Sequence, residues 1–369
     1  MKRYLPILLI VCLLLCACSQ KAPDQTTTAP ATSGTSGNVS GEQTDAPDTT
    51  DVTAEPTVPE TVAVIRYRNP LTGTPIDSPW TTRPFAVMIN NIVYAQPMCS
   101  LSNVDMLFEV LAEGGITRCL AVFSDVGEVD HIGSIRSARP YFADIAESFD
   151  AIYAHHGGTD DGYAMISALD VDDIDANDNA YYRDQDRLNA GYDYEHTSFT
   201  DGKYLIQTAA SLSYTTTCEG SIDYGFLFDD NGSTGSGTDA SQITVTFGGY
   251  GKTTTLNYNA DAGAYTAYQY DADVIDGNTN EVAYFRNILV LAAKTSSYAY
   301  GSKTVLDITL TGEGEGYFAC DGKIVPITWS REDQHSPFVF THEDGTPITF
   351  GVGSSYIAVI PASSSVDAQ

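Results

Sequence analysis

Two histidines followed by two glycines, His155-His156-Gly157-Gly158, and two arginines three positions apart, Arg136 and Arg139, are the residues of this chain best equipped for chemistry. An imidazole exchanges protons near neutral pH, and a guanidinium fork recognises a carboxylate or phosphate through paired hydrogen bonds. Asn90 and Asn91 end an apolar run and add amide donors and acceptors to the same set. Asp173, Asp175 and Asn177 alternate oxygen ligands as a calcium loop does. The positions that such a loop fills with a turn glycine and a closing glutamate hold Asp178 and Asp184, however, so a solvated acidic loop is the better reading and calcium the weaker one. His196 beside Glu195 offers an acid-base pair. Tyr181, Tyr182, Tyr192 and Tyr194 stand among carboxylates, a composition that suits stacking on sugar rings as well as ordinary packing.

The elements that must position these residues are read from hydrophobic pattern. Phe85 to Ile89, Cys119 to Phe123 and Ala151 to Ala154 are short, nearly unbroken apolar runs, as expected of strands covered on both faces. Ser102 to Leu111, with Asp105 three residues after Ser102, and Ser137 to Phe149 read as the covering helices. The alternation predicts a parallel α/β unit, in which ligands gather beyond the carboxyl ends of the strands. That rule assembles Asn90, Asn91, Ser124, Asp125, His155 and His156 at one edge, beside the helix start that carries Arg136 and Arg139. Two arginines at the positive end of a helix dipole cost ~0.3–1 kcal/mol each unless an anion offsets them. A bound phosphate or carboxylate would do so, and so would an internal Asp or Glu. Glu113-Gly114-Gly115-Ile116-Thr117-Arg118 reads as a helix stop at the opposite pole, with Arg118 pairing Glu109 or Glu113.

A short helix is expected over Asp201 to Leu212. From about Thr215 the chain turns to alternating or apolar runs between glycine-rich turns, at Gln242 to Phe247, Thr253 to Tyr258, Ala264 to Tyr270, Ile288 to Ala292, Val305 to Leu310, Lys323 to Trp329 and Tyr356 to Ile360. Gly312-Glu313-Gly314-Glu315-Gly316 matches a dinucleotide fingerprint only in its glycines, because its acidic side chains would repel phosphate. The expected fold class is α+β, an N-terminal α/β domain with a mainly parallel sheet followed by a β-rich C-terminal domain.

At the N-terminus, Lys2 and Arg3 precede an apolar run that ends in Leu15-Cys16-Ala17-Cys18, a secretory signal over residues 1–17 with a lipoprotein cleavage box. Cys18 then becomes the first residue of the mature chain, and its thiol receives a diacylglycerol carrying palmitate-type chains. Residues 18–60 are rich in Thr, Pro, Asp, Ser and Gly and cannot form a core, so they read as a disordered tether with a reach on the order of 35 Å. The folded part is expected as 61–215 and 216–361, with a tail over 362–369. The formal charge is −30, and losing Lys2 and Arg3 with the signal leaves −32, which argues against nucleic acid as a partner. Of seven cysteines, four remain after the signal and the lipidation site: Cys99, Cys119, Cys218 and Cys320. The expected topology keeps Cys99 from Cys119 and leaves the disulfide state otherwise open.

Asn69-Pro70-Leu71-Thr72-Gly73, Arg83 to Asn91, Glu113 to Arg118 and Gly133 to Tyr141, taken together and in this order, resemble the YerB-type bacterial lipoproteins, which pair two domains of unknown function. The resemblance spans Asn69 to Pro361 and implies a location, a membrane-anchored lipoprotein on the extracytoplasmic face, and a two-domain architecture. It implies no catalytic residue. The chain carries no GxSxG, HExxH or Walker loop. The reading that follows is a binding module for an anionic or glycan-like cell-envelope ligand, with Asn90, Asn91, Arg136, Arg139, His155 and His156 lining the site. The alternatives are an envelope-polymer hydrolase, with or without a metal, built on the histidines and nearby aspartates, and a protein-binding scaffold at the cell surface.

Overall fold

The computed structural model describes residues 67–248, 251–300 and 303–369. The signal, the lipidation site Cys18, the tether and the first residues of the expected folded part lie outside them. In the N-terminal half, a short antiparallel pair, Tyr67–Arg68 with Pro75–Ile76, precedes the main elements: β1 (Phe85–Asn91), β2 (Met106–Leu111), β3 (Thr117–Phe123), α1 (Pro140–Glu147), β4 (Ile152–Ala154), α2 (Asp160–Leu169), β5 (Asp173–Ile174), α3 (Gln185–Asn189) and α4 (Gly202–Ser211). The C-terminal half supplies β6 (Gln242–Thr246), β7 (Thr253–Asn259), β8 (Ala264–Gln269), β9 (Ala272–Asp273), β10 (Asn287–Tyr300), β11 (Lys303–Thr309), β12 (Gly312–Cys320), β13 (Lys323–Arg331), β14 (Ser355–Pro361) and β15 (Val366–Ala368).

The chain is strand-rich with few helices, and its sheets are mixed. One large sheet runs in the order β13-β12-β10-β14-β2-β3-β1-β4-β5 and so passes through both halves of the sequence. The seam is parallel pairing of β14 with β2, Tyr356 opposite Leu107 and Ala358 opposite Glu109. A second sheet, β9-β8-β7-β6-β15, packs on one face of the first, and Val366–Ala368 extends it through antiparallel pairing with β6. Buried side chains form two layers. Phe108, Leu120, Tyr153, Leu291 and Trp329 lie with α1 on one face of the large sheet. Phe85, Leu107, Phe123, Ile243, Tyr265 and Leu205 of α4 lie on the other.

Two expectations are corrected here. Ser102 to Leu111 is not a helix: Leu101–Asn103 make one 3-10 turn, and Met106–Leu111 is a central strand. Its apolar residues are split between the two layers, Met106, Phe108 and Val110 to one and Leu107 to the other, which is period two rather than 3.6. Asp105 caps no helix, and instead its carboxylate accepts the amide of Ser124 at 2.6 Å. The N-terminal sheet is correspondingly not mainly parallel. β3 is antiparallel to both β2 and β1, whereas β1, β4 and β5 are parallel. A short turn joins β2 to β3, and a parallel pair would need a long crossover.

Gly312–Cys320, whose glycines mimic a nucleotide loop, is strand β12 between β10 and β13. A Cβ on Gly316 would stand 2.4 Å from the carbonyl oxygen of Val290, so the neighbouring backbone itself excludes a side chain there. Cys99, Cys119, Cys218 and Cys320 are unpaired, and Cys218 alone among them is more than marginally exposed.

At the seam lies a fully buried carboxylate, Glu109 of β2. Its Oε1 accepts Asn91 Nδ2 at 2.9 Å and Thr117 Oγ1 at 2.5 Å from the N-terminal half, and it stands 3.2 Å from Lys252 Nζ. Its Oε2 accepts Thr254 Oγ1 at 2.7 Å, Gln269 Nε2 at 3.3 Å and the hydroxyl of Tyr356 from the C-terminal half. Removing one partner of a buried ion pair strands the other charge, at about 3–5 kcal/mol. Glu109→Ala is therefore expected to lower the urea midpoint by a destabilisation of that size, and a change below about 1 kcal/mol on the same scale would show that the carboxylate does not hold the seam.

Candidate functional site

The antiparallel register of β1 and β3 sets Arg118 opposite Asn90, so the Glu113 to Arg118 segment sits at the same pole as the end of β1. The expected opposite placement was wrong because it rested on a helix where β2 stands. Residues 113–115 form a 3-10 turn in which Gly114 and Gly115 take φ of 77° and 74°, a conformation that glycine adopts without strain. Arg118 shares its face with Leu120 two residues on, while Thr117 faces the Glu109 layer.

The segment before α1 lies along the end of β1: Asn90 N donates to Ser134 O at 2.9 Å, and Arg136 N to Met88 O at 3.1 Å. Arg139 is the extended N-cap of α1, and Pro140 occupies the first helical turn, where its missing N–H costs nothing. Arg118, Arg136 and Arg139 thus converge at the start of one helix. Arg118 is buried, donates through NH1 to Ser137 O at 2.8 Å, and leaves its Nε without a partner. Burial, then the neighbouring charges of Arg139 and Arg136, lowers its pKa to about 10. Arg136 also has a buried, unpartnered Nε. Its NH2 reaches Glu195 Oε1 at 3.6 Å, and burial lowers its pKa against the pull of Glu195. For Arg139, burial works against the charge, but Glu113, 2.9 Å from Nε through both oxygens, outweighs it and holds the pKa above the usual arginine value. The buried hydroxyls of Tyr141 and Tyr153 lie beside this cluster and find no acceptor for their protons, and burial pushes both phenols up.

The histidines take fixed roles. Both ring nitrogens of fully buried His155 face acceptors, Nδ1 towards Gly157 O at 3.0 Å and Nε2 towards Asp173 Oδ2 at 3.1 Å. Burial opposes the cation, yet the bonds to Asp173 and Asp175 raise its pKa to about 9, so it is an imidazolium at neutral pH. Asp175 also accepts Gly157 N at 2.6 Å and the Tyr163 hydroxyl at 2.7 Å. Asp173 and Asp175 therefore serve His155. Among the described residues no group of three or more His, Cys, Asp or Glu side chains is gathered to hold a metal. His156 Nδ1 lies 2.7 Å from Ser198 Oγ, a spacing fit for a nucleophile and base, but Ser198 is buried and no carboxylate among the described residues bonds the other ring nitrogen. Asn90 Nδ2 lies 2.9 Å from His196 Nδ1.

Of the residues expected to share a site, Arg136, Arg139, Asn90, His155 and His156 gather at this pole. Asn91 turns to the opposite face and Glu109, while Ser124 and Asp125 lie at the far end of β3 because that strand runs the other way. Arg118, Tyr141, Tyr153 and Ser198 escaped sequence reasoning. For Arg118 the signal was there, since period two from Leu120 puts it on the α1 face.

The raised pKa of His155 has a stability consequence. A group whose folded pKa lies above its unfolded value of about 6.5 contributes stability that is complete below that value and fades as pH rises through about 9. Urea unfolding of the native chain should show this decline between pH 6.5 and 9.5, and His155→Gln should flatten it. An equal decline in the variant would assign the effect to other groups.

The comparisons with known proteins agree with this architecture. Residues 71–215 match the family described as "Protein of unknown function (DUF3048) N-terminal domain", and residues 243–357 match its C-terminal domain. The chain is 28% identical over 312 residues to "Putative lipoprotein YerB" of Bacillus subtilis (strain 168), covering 82% of this chain and 88% of that one. The crystal structure of YerB from Bacillus subtilis superposes with a TM-score of 0.70 at 25% identity, over 82% of this chain and all of that chain.

Proposed function

The chain belongs to the YerB-like family of bacterial lipoproteins with paired N- and C-terminal domains of unknown function, and from that premise we propose that it is a binding module, anchored through lipidated Cys18 on the extracytoplasmic face of the membrane, whose arginine edge takes an anionic cell-envelope ligand. One observation carries the reading. In a chain of formal charge −30, three arginines and two tyrosine hydroxyls converge on the start of α1, and four of their donors are buried without partners. A buried donor left unsatisfied costs about 1–3 kcal/mol, so an acceptor brought to this place gains what the fold alone does not supply.

The ligand would enter by displacing Glu195. Its side chain is 61% exposed and meets Arg136 at 3.6 Å, and an exposed pair of that kind is worth ~0–1 kcal/mol. A phosphate or carboxylate group offers planar or tetrahedral acceptors to Arg136 and Arg139 together, in the bidentate manner that guanidinium favours. Asn90, His156 and His196 form the polar surround, and His155 orders the Gly157 loop beside it.

Thermal unfolding of the soluble chain in increasing inorganic phosphate or poly(glycerol phosphate) should raise Tm in a concentration-dependent way, by the equivalent of about 2.7 kcal/mol at one hundred times the dissociation constant. Arg136→Ala should abolish most of the shift, and Arg136→Lys should retain part of it. A shift of the same size in Arg136→Ala, or no shift in the native chain with either anion, would remove the reading.

A further inference from the structure

On the opposite face of β3 from the arginine edge lies a cavity of about 410 Å³, walled by Gly115, Lys252, Thr253, Tyr268, Gln269 and Tyr270. We propose that this cavity is a second binding site, for a neutral sugar ring. The proposal extends the envelope-ligand reading to a separate place on the fold and stands on different residues.

The chemistry of the walls selects the ligand. Gln269 is 5% exposed, and its Nε2 donates to Glu109 Oε2 at 3.3 Å, which fixes the orientation of the amide because a carboxylate can only accept. Its Oε1 is then left buried with no donor. A ligand O–H or N–H would satisfy it. The amide donates to the Tyr356 hydroxyl as well, at 3.3 Å, so both of its N–H groups are spent in the buried layer and Gln269 offers an anion in the cavity no donor. Lys252 does not change that preference. Its ammonium lies 3.2 Å from Glu109 Oε1, 3.1 Å from Thr253 O and 3.3 Å from Thr254 Oγ1, so its three donors are taken and its charge is balanced. Asp271 at the mouth adds a carboxylate that repels anions and accepts hydroxyls. Tyr268, 39% exposed, offers an aromatic face to the apolar C–H side of a sugar ring.

The backbone at the mouth carries strain of the kind that collects at binding sites. Gln269 pairs with Ala272, so Tyr270 and Asp271 alone make the turn between β8 and β9, with φ of 52° and 62°. Asn-Gly is the usual occupant of such a turn. Tyr270 is held there by its hydroxyl, which donates to Asn91 O at 2.8 Å, and by Lys252 Nζ, 4.6 Å from the centre of its ring. The outcome is a tyrosine and a carboxylate fixed at the rim of the cavity.

The test is calorimetric titration of the soluble chain with the tetramer of β-1,4-linked N-acetylglucosamine and, separately, with an α-1,4 glucose tetramer. Saturable binding of either supports the site, and the preferred oligomer identifies the kind of sugar. Tyr268→Ala should weaken that binding at least tenfold, whereas Tyr284→Ala, an exposed tyrosine outside the cavity wall, should leave it unchanged. No binding of either sugar in the native chain, or equal affinity in Tyr268→Ala, overturns the proposal. Either result leaves the phosphate titration of the arginine edge to be read separately.

Discussion

The carboxylate of Glu109 is the constraint on which the rest of the structure depends. A charge taken wholly out of water is tolerated only when its lone pairs are filled and a counter-charge is close. Both conditions are met here, and the groups that meet them come from far apart in the chain: Asn91 and Thr117 from the first half, Lys252, Thr254, Gln269 and Tyr356 from the second. Neither half could bury Glu109 alone. The parallel seam of β14 on β2 therefore brings two sequence domains into one sheet and also encloses an ion that would be prohibitive in either part. Two further contacts repeat the device at the margins. Asp276 accepts the amides of Ser100 and Ser102, both at 2.9 Å, and Arg331, 1% exposed, lies 2.8 Å from Asp144 of α1.

From that fixed point, the alternation of a strand distributes the chemistry. Successive residues of β3 face opposite sides of the sheet. Thr117 goes to the Glu109 layer, Arg118 to the start of α1, and the turn before them carries Glu113 to Arg139 while Gly115 walls the cavity on the other side. The segment from Glu113 to Arg118 thus serves both faces of the same pole. A helix stop, which is how its glycines read in isolation, would have served neither.

Much of this architecture was legible in the sequence, and the failures have one physical origin. β1, β3, β4, α4 and most strands of the second half followed from local periodicity, because each buries a face whose pattern is written within the element itself. β2 was misread because Met106-Leu107-Phe108-Glu109-Val110-Leu111, apolar but for one residue and preceded by Asp105, satisfies a helix as well as a doubly covered strand. Glu109 was then read, with Glu113, as a partner for Arg118, which instead donates to Ser137 O. Once β2 was a helix, β1 and β3 had to be parallel, and Ser124 and Asp125 moved to the wrong end with them. Local pattern carries no information on whether a charge in the central strand of a sheet has its partners in residues 145 and 247 positions away. Arg136, Arg139, His155 and His156 still fall at one pole because the segment before α1 meets the end of β4 there, although Arg136 lies in the bridging segment before the helix and not at its expected start.

The location of the two candidate sites follows from coverage rather than from composition. Both faces of the large sheet are closed, one by α1 and its neighbours and the other by the second sheet and α4. Side chains along the strands are consequently apolar and unavailable, and a ligand can meet polar groups only where strands end and the covering elements part. At the pole of Asn90 and Arg118 the covering elements are themselves polar at their margins: an arginine N-cap on α1 and the Tyr270-Asp271 turn of the second sheet. The first has donors without acceptors and the second an acceptor without a donor. Buried polar atoms without partners also occur away from both margins, at Tyr265 and Ser364, so what distinguishes the first margin is the clustering of its arginine donors at one helix start rather than their lack of acceptors.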